Sequence, residues 1–345
     1  MRLTLILLST ALAAAQGLQN GSFEDRQALL LSNDKVELAV FTQGGALANL
    51  VLRDDPEKLS PLWNPIRYAR ETGRQQSGFA VGHFVCVDGF GPVSAEERDA
   101  GLPGHGEAHT LPWETSYSGK EGRTLTLTQK VRLPLHQETF TRSLRLVDGE
   151  NVIYVQSELA SHLSFDRPVN WAEHATIGAP FLEPELTVVD MPARQAQTRS
   201  HGERSLPQPH RLPPSVDFTW PMSPAVAGKK IDLRAAPRNP NSLDHTTCRL
   251  DPARPLVFVT ALHTGKRLLL GYLFRREEYP WLQSWEHYPP DGRIKSKIES
   301  RFLVFYTRVP EGFRKVDDVR LEGSALVVED RKARKQVKLA ASLGL

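Results

Sequence analysis

The chain has 345 residues, 43 of them Lys or Arg and 40 Asp or Glu, for a formal charge of +3 at pH 7. A balance that near neutrality supplies no overall pull toward nucleic acid, and a chain of this length can bury a core without disulfide or metal staples. Its two cysteines, Cys86 and Cys248, allow at most one bridge, and the sequence alone does not decide whether they pair.

The opening residues, MRLTLILLSTALAAA, join a basic Arg2 to an apolar stretch from Leu3 to Leu8 and a small-residue exit at Ala13, Ala14 and Ala15. That is the layout of a secretory signal peptide. Residues 1–15 are therefore expected to be cleaved near Ala15, leaving a mature chain that begins near Gln16 and is secreted or periplasmic. No later stretch approaches the roughly 20 consecutive apolar residues of a spanning helix, so no membrane span is expected. Residues 16–30 read as an N-terminal extension and 31–345 as one domain.

From KVELAVF onward the pattern alternates. Val36, Leu38 and Val40 oppose Lys35 and Glu37; in RTLTLTQKVRL, Leu125, Leu127, Val131 and Leu133 oppose Thr124, Thr126, Thr128 and Lys130. Alternation sends successive side chains to opposite faces, as a half-buried strand requires. TFTRSLRL, the turn pair Asp148-Gly149 and NVIYVQSEL make a hairpin signal, and PLVFVTAL, KRLLLGYLF and SRFLVFYTRV follow as further strands. No segment shows long helical periodicity, while 24 glycines and 25 prolines punctuate the chain. The expected class is all-β, a large antiparallel sandwich. Residues 190–245 are irregular and proline-rich, an insertion expected to act as a loop over a binding site. The basic run RKARKQVK at 331–338 has no interleaved aromatics and is expected to be a solvated face.

Common catalytic signatures are missing: no GxxxxGK[ST], no GxGxxG after a strand, no GxSxG and no CxxC. Instead three segments mix titratable groups with tryptophan. GLPGHGEAHTLPWE (101–114) carries His105, Glu107, His109 and Trp113; NWAEHATIGAPFLEP (170–184) carries Asn170, Trp171, Glu173 and His174; WLQSWEHYPPDG (281–292) carries Trp281, Trp285 and Glu286. Aromatic faces beside carboxylates and imidazoles suit a sugar, whose ring is apolar on its faces and hydroxylated at its rim. His105 and His109 superficially match the zinc motif HExxH, but the glutamate is displaced by one position and the neighbouring Gly and Pro oppose the helix that motif needs.

Taken in order, GGALANLVL (44–52), LWNP (62–65), GLPGHGEAHTLPW, EHATIGAPFLEP and WLQSWEHYP resemble the aldose 1-epimerase, or galactose mutarotase-like, superfamily. The similarity runs from about Leu31 to Val309. It implies a β-supersandwich with a sugar in a broad cleft, no metal and no cofactor. It assigns His105 as an assisting histidine, His174 as the acid at the ring oxygen, and Glu286 as the base at the anomeric hydroxyl. Glu107, Trp113, Asn170, Glu173, Trp285 and Arg74 are the expected substrate contacts; Glu173 stands where characterised mutarotases have asparagine, and Arg74 is the nearest candidate for their substrate-holding arginine. The expected partner is a small-molecule carbohydrate and not nucleic acid. A non-catalytic carbohydrate-binding protein with the same cleft is the alternative, and a metal enzyme using His105 and His109 is a further one.

Overall fold

The computed structural model describes residues 17–74, 78, 80–200, 210–235, 242–288, 295–298 and 302–345, except for the side chains of 242–243, 284–288 and 295–298. The expected signal peptide and Gln16 lie outside the described residues.

Strands dominate, as the alternation predicts. β1 (Gly17–Phe23), β2 (Arg26–Ser32), β3 (Val36–Phe41) and β4 (Leu47–Leu52) form a meander, followed by α1 (Pro65–Thr72), β5 (His83–Val87) and α2 (Ala95–Asp99). Next come β6 (Glu114–Glu121), β7 (Thr124–Leu133), β8 (Glu138–Val147), β9 (Val152–Ser161) and β10 (Trp171–Gly178). The proline-rich region holds β11 (Thr187–Asp190), β12 (Ala193–Thr198), β13 (Asp217–Thr219), β14 (Met222–Pro224) and β15 (Lys230–Asp232). β16 (Ser242–Leu250), β17 (Leu256–His263), β18 (Leu268–Arg275), β19 (Trp281–Tyr288), β20 (Lys295–Ile298) and β21 (Leu303–Arg308) return the chain to the main body, and β22 (Asp318–Glu322), β23 (Ala325–Asp330) and β24 (Lys335–Ala340) close it.

Two large antiparallel sheets result. One has the order β1-β2-β3-β4-β5-β10-β20-β19-β16-β12-β13 and the other β11-β17-β18-β21-β9-β8-β7-β6. Between them lies the main core, where Leu38, Leu50 and Ile177 of the first sheet meet Leu127, Leu144, Val259 and Leu270 of the second. The outer face of the second sheet is covered by β22–β24, with Phe258, Leu269 and Phe305 packed against Val319, Leu326 and Val328. Over part of its outer face the first sheet carries a smaller cluster that includes Phe41, Phe84, Cys86 and Ala172. Two-sided cover explains why β3 is buried at nearly every position although its sequence alternates.

Strand pairing integrates two segments that the sequence reads as an extension and an insertion. Residues 17–30 are not an appendage: β1 and β2 pair along their full length, and β2 pairs with β3. The proline-rich region is woven in at both sides, because β11 pairs with β17 in the second sheet while β12 and β13 extend the first beyond β16. Cys86 and Cys248 are both buried thiols, one in the outer-face cluster and the other in the inter-sheet core. In the 331–338 run, Arg331 pairs with Asp318 and Lys338 with Glu322, so part of its charge is compensated locally.

Candidate functional site

The site is built on the neighbouring strands β5 and β10, where Phe84 lies opposite His174 and Val85 opposite Glu173. Pleating sends alternate residues to opposite faces. Glu173 therefore turns inward and His174 outward, although they adjoin in sequence.

On the inner face, Glu173 is 1% exposed and both its oxygens are taken. Arg142 of β8 donates to them at 2.7 and 2.6 Å, His83 Nε2 lies 3.0 Å from Oε2, and the Trp171 indole donates to Oε1 at 3.2 Å. Burial pushes the carboxyl up, but the Arg142 charge and the His83 hydrogen bond outweigh it and hold the group below the usual carboxylate range. For His83 burial prevails, pulling the imidazole down despite Glu173. A carboxylate only accepts, so the His83 nitrogen facing it carries the proton. This arrangement bolts the two sheets together directly behind His174. Glu173 is thus a buried ion pair linking the two sheets.

On the outer face, the His174 ring stacks on Phe84 with centroids 4.1 Å apart and planes at 24°. Thr176, two residues along the same face, places Oγ1 3.1 Å from His174 Nδ1. His105 approaches edge-on, its centroid 5.1 Å from that of His174. It comes from the 101–113 loop, which lacks regular structure as its composition predicts. The loop is held by backbone: His105 N–H donates to the Gly91 carbonyl at 3.1 Å, and the Gly91 N–H donates to His105 Nδ1 at 3.2 Å. Because Nδ1 accepts that bond, the neutral ring carries its proton on Nε2. Cys86 Sγ lies 3.5 Å from the same Nδ1. His105 adopts φ +68° and Gly106 +77°; a Cβ on Gly106 would sit 2.0 Å from the Val87 carbonyl oxygen, so this contact demands glycine.

The other expected residues divide. Glu107 is buried and faces away from His105, accepting from Leu135 N at 3.1 Å, His136 N at 3.2 Å and His136 Nδ1 at 2.8 Å. It moors the His105 loop to the β7–β8 turn. Trp113 is a core residue: its indole donates to the Ala108 carbonyl at 2.9 Å, its ring meets Phe140 at 5.5 Å, and the same ring closes over Gly45. Asn170 is exposed, with its backbone locked to Asp88. Arg74 follows the C-terminus of α1, donates to the Tyr68 hydroxyl at 3.0 Å and lies over that ring at 5.7 Å. The side chains of Trp285 and Glu286 lie outside the described residues; in backbone register Glu286 pairs with Asp244 on one side and Ser296 on the other, and Ser296 with Ile177. Glu286 is thus two strands from β10, roughly 10 Å across the sheet, and its backbone register lines it up with the core residue Ile177 and not with the outward-facing His174.

His109 also packs here, 5.4 Å from Phe84 and 5.9 Å from His105 between centroids. Burial pulls its imidazole down to about 4, against an opposing backbone hydrogen bond at Gly106. Residues 103–112 form no helix, so the HExxH geometry does not arise. Among the described residues no cluster of three or more His, Cys, Asp or Glu is placed to hold a metal. Phe84, Cys86, Thr176 and Gly91 were not among the expected site residues. For Phe84, Cys86 and Thr176 the signal is alternation in HFVCV and WAEHATIG, which reports a strand and not its neighbours.

No family profile matches the sequence, and no curated protein matches it. Solved structures do. A galactose mutarotase-like protein from Clostridium acetobutylicum is similar over 94% of this chain and 96% of its own, with a TM-score of 0.54 and 11% identity. A protein provisionally named an aldose 1-epimerase, from Klebsiella pneumoniae, gives a TM-score of 0.58 and 13% identity over 82% of this chain and 79% of its own. A third, provisionally named a mutarotase, from Salmonella typhimurium, gives 0.53 and 13% over 94% and 92%. Identity this low speaks to architecture and not to activity. With its large antiparallel sheets and these structural similarities, this chain has the all-β galactose mutarotase-like fold.

Proposed function

We propose that the protein is an exported carbohydrate-active protein, an aldose 1-epimerase-type isomerase that interconverts sugar anomers. Anomerisation opens a hemiacetal: the C1 hydroxyl loses its proton, the C1–O5 bond breaks as its electron pair and a proton go to O5, C1 rotates, and the ring recloses on the other face. An acid and a base on opposite sides of the ring are required. In this reading His174 protonates O5, Glu286 removes the hydroxyl proton, and the Nε2–H of His105 donates to the ring or its substituents. No redox step or group transfer is involved. The observation that carries the proposal is the meeting of His105 and His174 at 5.1 Å on the outer face of one strand pair, the pair the family resemblance assigns.

Two observations favour a second reading: the backbone register aligns Glu286 with the core residue Ile177 and not with His174, and His174 is itself almost fully covered. His174 is 2% exposed, so a substrate oxygen has little access to it in this conformation, which suits a protein that binds sugar without turning it over. The two are separated by measuring affinity and anomer interconversion on the same variants. For the isomerase, Glu286→Gln and His174→Asn abolish interconversion while retaining sugar affinity, and His105→Ala weakens binding by about 0.5–1.5 kcal/mol through loss of one hydrogen bond. Wild-type rates in Glu286→Gln and His174→Asn contradict the assignment; sugar affinity with no interconversion in the wild type establishes the binder.

A further inference from the structure

A second hollow lies on the 11-stranded sheet. Because Val36, Leu38, Leu50 and Leu52 point into the inter-sheet core, their neighbours Glu37 of β3 and Val51 of β4 face outward. There they line a cavity of about 490 Å³, bounded also by Glu24 of the β1–β2 turn, Ser60, and Asn64 and Arg67 at the start of α1. Neither His105 nor His174 lines it. Its walls are fixed by bonds. Asn64 is 6% exposed; its Oδ1 accepts from the Arg67 amide at 2.9 Å and its Nδ2 donates to Glu24 Oε1 at 2.7 Å, so one buried side chain caps the helix and joins it to the β1–β2 turn. The Trp63 N–H donates to the Thr176 carbonyl at 2.8 Å, and Leu62 bridges Ile177, anchoring the same segment to β10. A concavity held this way is formed before a ligand arrives.

Charge narrows the ligand. Glu24 pairs with Arg70 at 2.9 Å, Glu37 with Lys58 at 3.2 Å and Glu57 with Lys266 at 2.7 Å, so each lining carboxylate has its own cation. Arg67 is not matched in that way. Among the described residues its guanidinium comes no closer than 4.0 Å to a carboxylate, that of Glu71, and donates one 3.5 Å bond to the Ala179 carbonyl. It also stands in the first turn of α1, which carries no acidic residue, and at that end the helix dipole disfavours a cation and favours an anion. One unmatched positive charge suits one carboxylate, whereas a dianionic phosphate would bring a second negative charge among the lining carboxylates. Further polar capacity is also open. The Ser60 hydroxyl accepts from the Leu50 and Leu62 amides at 3.4 and 3.3 Å, which leaves its proton to donate. The Asn49 amide, which lines the cavity and has no hydrogen-bond partner among the described residues, offers both donors and an acceptor. Hydroxyl groups answer both.

We propose that this cavity binds a small hydroxylated monocarboxylate, a sugar acid, with its carboxylate on Arg67 and its hydroxyls on Asn49 and Ser60. The site is separate from the hemiacetal site and does not rest on it.

Calorimetric titration of the purified protein with gluconate and galacturonate tests this, with glucose, galactose, inorganic phosphate and trialanine as comparisons. At least one acid should bind about tenfold more tightly than its neutral counterpart, phosphate or trialanine, as one charge-assisted contact implies. With unchanged melting temperatures, Arg67→Gln should weaken that acid about tenfold and Asn49→Ala about threefold, while His105→Ala leaves its affinity unaltered. Affinity that survives Arg67→Gln, or that falls with His105→Ala, overturns the site. So does failure of both acids to bind, or equal affinity for acid and neutral sugar. Tighter binding of phosphate or trialanine would assign the cavity to another anion and overturn the hydroxylated ligand.

Discussion

His109 shows how burial sets chemistry at a single position. Its imidazole is 7% exposed and titrates near 4, while the unfolded chain takes up a proton near 6.5. Between those values the unfolded state binds more protons than the folded one. The stabilisation is therefore complete above about pH 6.5 and lost as pH falls toward 4, with an upper value on the order of 3 kcal/mol. His109→Phe should flatten the pH dependence of unfolding free energy between pH 7 and 4.5, measured by urea denaturation. An unchanged slope would mean that His109 is not the titrating group.

At the scale of the strand, one residue of register separates structure from chemistry. Glu173 and His174 adjoin, yet the first anchors the inter-sheet ion pair and the second faces outward with Phe84. Glu173→Ala would strand the buried Arg142 charge and should cost about 3–5 kcal/mol in chemical denaturation; a loss below about 1 kcal/mol would show that the pair does not bolt the sheets. Glu107 works through the loop it moors. Glu107→Ala leaves the Leu135 and His136 amides without their acceptor and should lower stability by about 1–3 kcal/mol, with a fall in anomerisation rate that Glu107→Gln partly restores. Wild-type rate in Glu107→Ala would separate the mooring from the site. Much of this level was legible: Leu125, Leu127, Val131 and Leu133 of β7 are buried as their alternation predicts, and the Asp148-Gly149 hairpin joins β8 to β9. What alternation does not say is which face meets the other sheet, and for that reason Glu173 and Trp113 were expected at the sugar and lie in the core. The role of Glu107 was hidden because its partners are backbone amides of the β7–β8 turn, distant in sequence.

Across the whole molecule, the 11-stranded sheet collects the assigned residues: β5 and β10 hold Phe84 and His174, β19 carries Glu286, and the 101–113 loop lays His105 over β5. The order of short motifs along the sequence pointed to this fold although each motif alone is weak, because a shared topology preserves the order of elements when identity has fallen to 11–13%. The proline-rich segment was harder to place, since β11 and β12 are set by pairing with β17 and β16, β13 by pairing with β12, and β14 and β15 by pairing with each other, rather than by a pattern of their own. The central claim is that this scaffold turns over a sugar hemiacetal. Exchange NMR of anomeric protons, run on a panel of neutral aldoses and oligosaccharides with purified wild-type protein, tests it most directly. The account predicts α-to-β exchange above the uncatalysed rate for at least one sugar, lost in Glu286→Gln; exchange at the uncatalysed rate for every sugar, including those that bind, would contradict it.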